Sequence, residues 1–169
     1  MLVKSALIKA VVNNMSHLVF ARKYRPQTFK EIVGQEHVTR ALTNAIVRDR
    51  VAHALIFTGP RGVGKTTSAR VLSKALNCTG RKLPSLEDEE NKSLTTEQLI
   101  EKVEPCGTCS NCKEITKGSN LAVVEIDGAS NNSVDNVRSL IETLLTAPPP
   151  NIKYKIYMDG YSRIEVSAA

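Results

Sequence analysis

A glycine-rich segment at residues 59–66 has the composition and spacing of a phosphate-binding loop. It comprises Gly59, Pro60, Arg61, Gly62, Val63, Gly64, Lys65 and Thr66, and Thr67 follows directly. Glycines in such a loop let backbone N–H groups approach phosphate oxygens that a Cβ atom would obstruct. Lys65 would supply positive charge to the β- and γ-phosphates, and Thr66 would offer a hydroxyl to Mg²⁺. Thr67 would begin a helix whose N-terminal dipole favours an anion.

The residues on either side of this loop support a nucleotide site. An apolar run at 54–58 precedes it and is typical of a strand buried on both faces. After it, Ala69, Leu72 and Leu76 recur with the spacing of an amphipathic helix. An eight-residue match can arise by chance, but a strand before the loop and a helix after it are the context that the motif requires. We therefore predict that the loop binds a nucleotide.

Hydrolysis by a phosphate-loop protein needs a carboxylate on the metal ion and usually a second one to orient the attacking water. Asp127 and Asp159 both lie where predicted strands end. Neither is followed by another acid, because Gly128 and Gly160 come next. The phosphate-binding residues are complete in the sequence. The pair of carboxylates that hydrolysis needs is not visible, because each strand end offers only one acid.

The cysteines have the spacing of a metal site. They are Cys78, Cys106, Cys109 and Cys112, of which the last three form a C-x₂-C-x₂-C run. Two residues between thiolates let them wrap one ion, and a fourth sulfur completes a tetrahedral set. Structural zinc is the favoured interpretation, while an iron–sulfur cluster and unliganded thiols stay open. Lys113 and Lys117 would offset part of the thiolate charge. His37 and His53 have no partner at metal spacing and are interpreted as structural.

Helices and strands alternate along most of the chain. Helical spacing of apolar residues begins after Gly34 and again at Ser133, and the second pattern ends before Pro148. Strands are predicted at 54–58, 121–126 and 154–158. This alternation predicts an α/β fold with a parallel sheet.

Residues 79–105 interrupt the pattern with more acids than bases and a proline near each end. Thr95 and Gln98 have the spacing of a capping box ahead of an apolar stripe. We predict a surface insertion that carries one short helix and that the fold tolerates without a function of its own.

The composition is that of a soluble globular chain with room for one domain. Its 169 residues are 41% apolar and 24% charged, with a net charge of +6. All of that charge lies in residues 1–30, so it is poor evidence for a DNA-binding face. No apolar run approaches the roughly 20 residues of a membrane span, and the N-terminus lacks the pattern of an export signal. We expect a cytoplasmic protein.

Several segments are similar to one known family. They are 20–29 (FARKYRPQTF), 33–38 (VGQEHV), 59–66, 76–78 (LNC), 105–112, 125–130 (EIDGAS) and 154–157 (YKIY). They resemble the bacterial DNA polymerase III gamma/tau family, the AAA+ ATPases of the clamp loader. Archaeal and eukaryotic small subunits of clamp loaders share the Tyr-Arg-Pro element but as a rule lack the cysteines, so the cysteines favour the bacterial family.

The resemblance implies a P-loop NTPase domain of the AAA+ type over residues 18–158. This is a three-layer fold with a parallel sheet, incomplete here, preceded by a disordered or helical extension at 1–17. It also implies a zinc module at 78–118, held by the four cysteines and enlarged by the insertion at 79–105.

The implied cofactors are ATP, Mg²⁺ and zinc. ATP would bind at 59–67, with Tyr24, Arg25, Pro26 and Val33 around its adenine. Members of the family act in hetero-oligomers that use ATP to place a sliding clamp on primed DNA. The implied partners are therefore the other clamp-loader subunits, the sliding clamp and primed DNA, with no membrane.

The chain departs from the family after Met158. Family members continue this strand into the Asp-Glu pair of the Walker B motif, where this sequence has Gly160 and Tyr161. Asp159 lies one residue early and would face the other side of the strand, which leaves it a candidate only. The tail at 159–169 matches nothing in the family, so we expect a truncated or frameshifted chain. The alternative to a clamp-loader ATPase is therefore a non-catalytic fragment that binds nucleotide and zinc.

The same departure predicts a weakened fold. In the family, the neighbours of the strand before the phosphate loop come from segments after Walker B. Without them, the strand at 53–58 would lose both neighbours, and unpaired buried backbone groups cost about 1–3 kcal/mol each. We expect a poorly folded or aggregation-prone chain.

Overall fold

A computed structural model of the chain describes residues 20–82, 94–126, 142, 151–159 and 163–168. The helices are α1 (Phe20–Lys23), α2 (Glu36–Val47), α3 (Lys65–Asn77), α4 (Thr96–Val103) and α5 (Ser110–Lys117). The strands are β1 (Ala54–Ile56), β2 (Val123–Ile126), β3 (Tyr154–Asp159) and β4 (Arg163–Ala168). The predicted extension at 1–17 lies outside the described residues, as does the helix predicted from Ser133, apart from helical Glu142. In the part of the chain that the structure describes, every helix is too short or too polar to cross a membrane.

Helix α2 confirms the stripe predicted at Val38, Leu42 and Ile46: Leu42 and Ile46 are buried, and the partly buried Val38 packs against the core. Helix α3 is more buried than predicted, because every residue from Val71 to Asn77 is buried. It packs against β3, α5 and α2. The helix predicted after the loop is confirmed, because Ala69, Leu72 and Leu76 are all buried. Thr66 in the first turn is exposed, so burial is greatest toward the C-terminal end of the helix.

The four described strands form one mixed sheet in the order β1-β4-β3-β2. Strands β2 and β3 are parallel, as predicted, with Val123 opposite Ile156. Strand β4 is antiparallel to both β3 and β1. The prediction of a wholly parallel sheet was wrong at β4. Only three residues separate β3 from β4, too few for the crossover that a parallel neighbour requires.

Strand β1, which leads into the glycine-rich loop, is shorter and more exposed than predicted. It spans three residues, and Ile56 is 72% exposed. The prediction of burial on both faces was wrong, because successive side chains of a strand point to opposite faces and only Leu55 packs against the core.

The prediction that this strand would lack both neighbours was also wrong, because β4 pairs with it. Leu55 lies opposite Ile164, and the backbone N–H of Val166 donates to the carbonyl of His53 at 2.8 Å. Ile164 and Val166 are 1% and 5% exposed. The tail therefore supplies both hydrogen bonds and apolar contacts to the strand before the loop.

The insertion contains helix α4, which packs against α2. Its predicted capping box is confirmed: the Thr95 N–H donates to Gln98 Oε1 at 2.8 Å, and the Gln98 N–H donates to Thr95 Oγ1 at 3.4 Å. Val103 is fully buried at the end of the helix. The insertion thus contributes to the core rather than lying wholly on the surface.

Candidate functional site

The glycine-rich loop connects β1 to α3, in the context that the sequence predicted. Gly59, Gly62 and Gly64 have φ angles of +137°, +88° and +94°. A Cβ at Gly62 or Gly64 would meet no atom within 4 Å, so the backbone conformation, not space, requires glycine there. Gly64 is the N-cap of α3, which leaves the first N–H groups of that helix free at the loop.

Lys65, the first residue of α3, lies over this loop. Its Nζ donates to the carbonyls of Gly59 at 2.9 Å and Pro60 at 3.0 Å. Among the described residues, no carboxylate forms an ion pair with it. Within the part of the chain that the structure describes, the positive charge of the ammonium is therefore not neutralised by a carboxylate and is available to an anion.

A cleft of about 360 Å³ opens beside the loop. Lys65 and Val63 line one side of it, and Gln35 and His37 line another. Its other walls include apolar residues of α2 and of β1 with its continuation, among them Leu42 and Phe57. A positive charge next to an apolar wall is the combination that a nucleotide requires.

The residues expected around adenine do not line this cleft. Tyr24 is 69% exposed and Val33 is 88% exposed. Arg25 and Pro26 line a second, basic cleft of about 320 Å³, to which α3 contributes Arg70. Burial, together with the nearby charge of Arg70, lowers the pKa of Arg25. The adenine site stays a prediction.

The two candidate acids remain untested. Asp127 lies outside the described residues, and Asp159 is the last residue of β3, opposite Ile126. The nearby Glu125 accepts a hydrogen bond from Nε of Arg70 at 3.0 Å, so that carboxylate already has a structural partner.

The four cysteines meet as their spacing predicted. Their Sγ atoms all lie within 4.8 Å of one another, and all four thiols are free. For Zn–S bonds of about 2.3 Å, the edges of a tetrahedron are about 3.8 Å, so a small contraction would suffice to hold an ion. Among the described residues, the group includes no histidine or carboxylate. An all-sulfur set of four is the donor set of a structural metal site.

Backbone N–H groups point at these sulfurs. The N–H of Cys109 donates to Sγ of Cys106 at 3.3 Å, and the N–H of Cys106 donates to Sγ of Cys78 at 3.4 Å. Burial alone would raise the pKa of Cys106, but the Cys109 N–H and Thr108 lower it to about 5. Burial raises the pKa of Cys112, with the neighbouring thiols adding to the effect. Hydrogen bonds of this kind stabilise the thiolates that a metal ion needs.

Gly80 allows the chain to pass close to the cluster. A Cβ added there would lie 2.5 Å from Sγ of Cys106 and 3.1 Å from its Cβ. Any side chain at this position would push the sulfur away. The close approach fits a site in which backbone encloses a metal ion.

Asn77, which sequence analysis missed, fixes the chain next to Cys78. Its side-chain amide donates to the carbonyl of Tyr154 at 2.9 Å, and its Oδ1 accepts from the N–H of Tyr154 at 2.9 Å. Its own carbonyl accepts from Nδ2 of Asn111 at 2.7 Å. Asn77 is 2% exposed, so these bonds join α3, α5 and β3 beside the cluster.

Replacing Asn77 with alanine should therefore destabilise the fold. The change leaves partly buried backbone groups of Tyr154 in β3 without this partner, and we expect the free energy of unfolding to fall by about 1–3 kcal/mol. Urea unfolding followed by circular dichroism measures this, with Asn44→Ala on the partly exposed part of α2 as the control. Equal midpoints for the two variants would contradict the assigned role.

Glu104 links the cluster to the N-terminal segment and was also missed. Its carboxylate accepts from the N–H of Phe29 at 2.8 Å and from that of Lys30 at 2.7 Å. Burial raises the pKa of Glu104, against the two N–H donors, which lower it. Nothing in the local sequence indicates this contact, because its partners are more than 70 residues apart.

Comparison with known proteins assigns most of the chain to one family. Residues 34–169 match the family described as DNA polymerase III, delta subunit. The chain belongs to this family of DNA polymerase III subunits.

Within it, the similar curated proteins are gamma and tau subunits. The chain is 40% identical over 144 residues to DNA polymerase III subunit tau of Bacillus subtilis and 42% identical to that of Escherichia coli. It is 38% identical to DNA polymerase III subunit gamma of Buchnera aphidicola. Each match covers 85% of this chain but only 22%, 19% and 34% of those relatives. The chain therefore spans about a fifth to a third of their length.

Proposed function

We propose that this chain is the nucleotide-binding portion of a DNA polymerase III clamp loader, which uses ATP to place a sliding clamp on primed DNA. The observation that carries the proposal is the loop between β1 and α3. Its positive-φ glycines, the free N–H groups of α3 and the unneutralised charge of Lys65 together fit a triphosphate. Membership of the DNA polymerase III family supplies the biological context.

In this proposal, the backbone of 59–64 and the N-terminus of α3 hold the phosphates of ATP. Lys65 would exchange its two carbonyl partners for phosphate oxygens, and the exposed Thr66 would offer its hydroxyl to Mg²⁺. Tyr24, Arg25, Pro26 and Val33 would surround the adenine, as the family resemblance implies. The other clamp-loader subunits, the sliding clamp and primed DNA are the proposed partners, in the cytoplasm.

A second candidate function is a binding module that does not hydrolyse ATP. The sequence feature that favours it is Gly160-Tyr161, which stand where the family resemblance implies the two Walker B acids. A missing acid removes the group that orients water but leaves the phosphate cradle unchanged. ATP binding without turnover distinguishes this candidate from a complete ATPase.

For the cysteines, we favour a structural zinc ion over an iron–sulfur cluster. Four sulfurs without an open position suit an ion that stabilises the fold rather than one that binds substrate. Metal analysis of the purified chain separates zinc from iron.

The test of the ATP site is the variant Lys65→Ala. Removing a charged hydrogen-bond donor costs about 1.5–3 kcal/mol, so we expect ATP affinity to fall about 10- to 150-fold. Isothermal titration calorimetry with Mg-ATP measures it, and Lys82→Ala, an exposed lysine outside the loop cleft, is the control. An unchanged affinity in Lys65→Ala would refute the proposed site. Phosphate release above that of Lys65→Ala would refute the non-hydrolysing alternative.

A further inference from the structure

Arg81 lies in the insertion, between the four-cysteine cluster and helix α4. Its guanidinium donates through Nη1 to the carbonyl of Lys102 at 2.8 Å and through Nη2 to that of Ala75 at 3.0 Å. Nη2 also donates to the carbonyl of Val103. The side chain is therefore held in one position, between the last turn of α4 and the last turns of α3.

One N–H group of this guanidinium is not used by these contacts. Nε of Arg81 is buried and has no hydrogen-bond partner, the one such side-chain atom in the part of the chain described. Leaving a buried donor unpaired costs free energy, so it requires an explanation. Cys78 lies beside it and lines the same cavity of about 300 Å³.

The surroundings of Arg81 are those of a buried counter-charge. Burial lowers the pKa of its guanidinium, while Cys78 and, more weakly, Cys112 and Glu104 act in the opposite direction. The cation is therefore partly desolvated and lies close to Cys78, Cys112 and Glu104. At such a position, charge–charge interactions are screened less than at the surface.

A divalent ion held by four thiolates carries a net charge of −2, which must be offset close by if the site is to bind tightly. Lys113 and Lys117 on α5 are exposed to solvent and therefore screened. Lys74 is buried near Cys112, but its ammonium already donates to the carbonyl of Gln27 at 2.8 Å and to Oε1 of the same residue at 2.7 Å. Among the described cations near the cluster, Arg81 has a buried nitrogen, Nε, that forms no hydrogen bond at all, and it lies beside Cys78.

We propose that Arg81 is a positioning residue for the metal site, with its charge and its free Nε–H directed to the thiolate of Cys78. This inference rests on the proposed metal site and goes beyond it, because it gives the insertion a function. The insertion brings a counter-charge to the cluster, and the same guanidinium ties α4 to α3. Mutation of a residue that hydrogen-bonds to a metal ligand typically lowers metal affinity by 10- to 100-fold.

The experiment compares zinc affinity in the full chain and in the variants Arg81→Gln, Arg81→Lys and Lys113→Gln. Competition with a chromogenic chelator measures affinity, and far-ultraviolet circular dichroism checks folding. Substitution with Co²⁺ adds a sulfur-to-cobalt charge-transfer band, which reports the electron density on the thiolates. We expect Arg81→Gln to bind zinc about 10- to 100-fold more weakly and to shift the band. Arg81→Lys should lose less, and Lys113→Gln should change affinity less than about threefold.

Each outcome bears on one of the two proposals. An Arg81→Gln affinity within threefold of wild type would overturn the role of Arg81, as would an equal loss in Lys113→Gln. If Arg81→Gln loses helical signal, Arg81→Lys is the deciding variant. Its zinc affinity should stay within about threefold of wild type while its charge-transfer band shifts. An unshifted band would overturn the role of Arg81. Failure of the wild-type chain to bind zinc or Co²⁺ stoichiometrically would overturn the metal site itself.

Discussion

Treatment with a strong zinc chelator is expected to unfold much of this protein. Structural zinc in small domains contributes about 10–16 kcal/mol of binding free energy near neutral pH, and whole domains are stable by only about 5–15 kcal/mol. The four cysteines connect the end of α3 to α5, and Cys112 is fully buried where these helices meet. A loss of 5 kcal/mol would by itself lower Tm by roughly 10–20 °C in a chain of this size. Thermal unfolding with and without chelator measures the effect.

The matching substitution is Cys112→Ser, which removes one of the four proposed zinc ligands with little change in volume. We expect a fall in Tm similar to that caused by the chelator, and no further fall when both are applied. Ser110→Ala is the control, because Ser110 is an exposed residue in the first turn of α5 and its replacement leaves every sulfur in place. If chelator and Cys112→Ser both leave Tm unchanged, the cluster is a group of unliganded thiols.

The second large effect is expected from the tail strand. Ile164 is 1% exposed and lies between Leu55 of β1 and Met158 of β3. Ile164→Ala leaves a cavity between these two strands, and such substitutions cost about 2–5 kcal/mol. Urea unfolding should therefore show a midpoint well below that of wild type.

Ile56→Ala is the matched control, since it removes the same atoms from a side chain of β1 that is 72% exposed. We expect its effect to stay within about 0.5 kcal/mol. If both variants had equal midpoints, β4 would not pack between β1 and β3 in solution. The prediction from the sequence, that the strand before the loop has no neighbour, would then be correct.

The pairing of β4 also changes what we expect of the whole chain. Poor folding was predicted because the strand before the phosphate loop had no partner in the sequence. In the structure, β4 pairs with one edge of β1, and Ile164 and Val166 of β4 lie in the core. The strand before the loop therefore has a hydrogen-bonded neighbour on that edge. A single cooperative unfolding transition is now the expected result.

Local features were predictable because their signals lie within a few residues. The glycine-rich loop follows from the spacing of Gly59, Gly64 and Lys65, and the positive φ angles at its glycines agree with that spacing. The capping box of α4 follows from Thr95 and Gln98, which are three residues apart. The cysteine cluster was predictable because three of its members are only three residues apart along the chain. Cys78 is the one member that is distant in sequence.

The sequence by itself determined the phosphate loop, the cysteine set and the family, because each depends on residue types at fixed short spacing. Tertiary structure decided the rest, because it depends on pairs that no local pattern connects. Glu104 meets Phe29 across 75 residues, and Arg81 meets Val103 across 22. Strand β4 pairs with β1 because burial of Ile164 and the open backbone groups of β1 favour that register, and neither is visible in the eleven-residue tail alone.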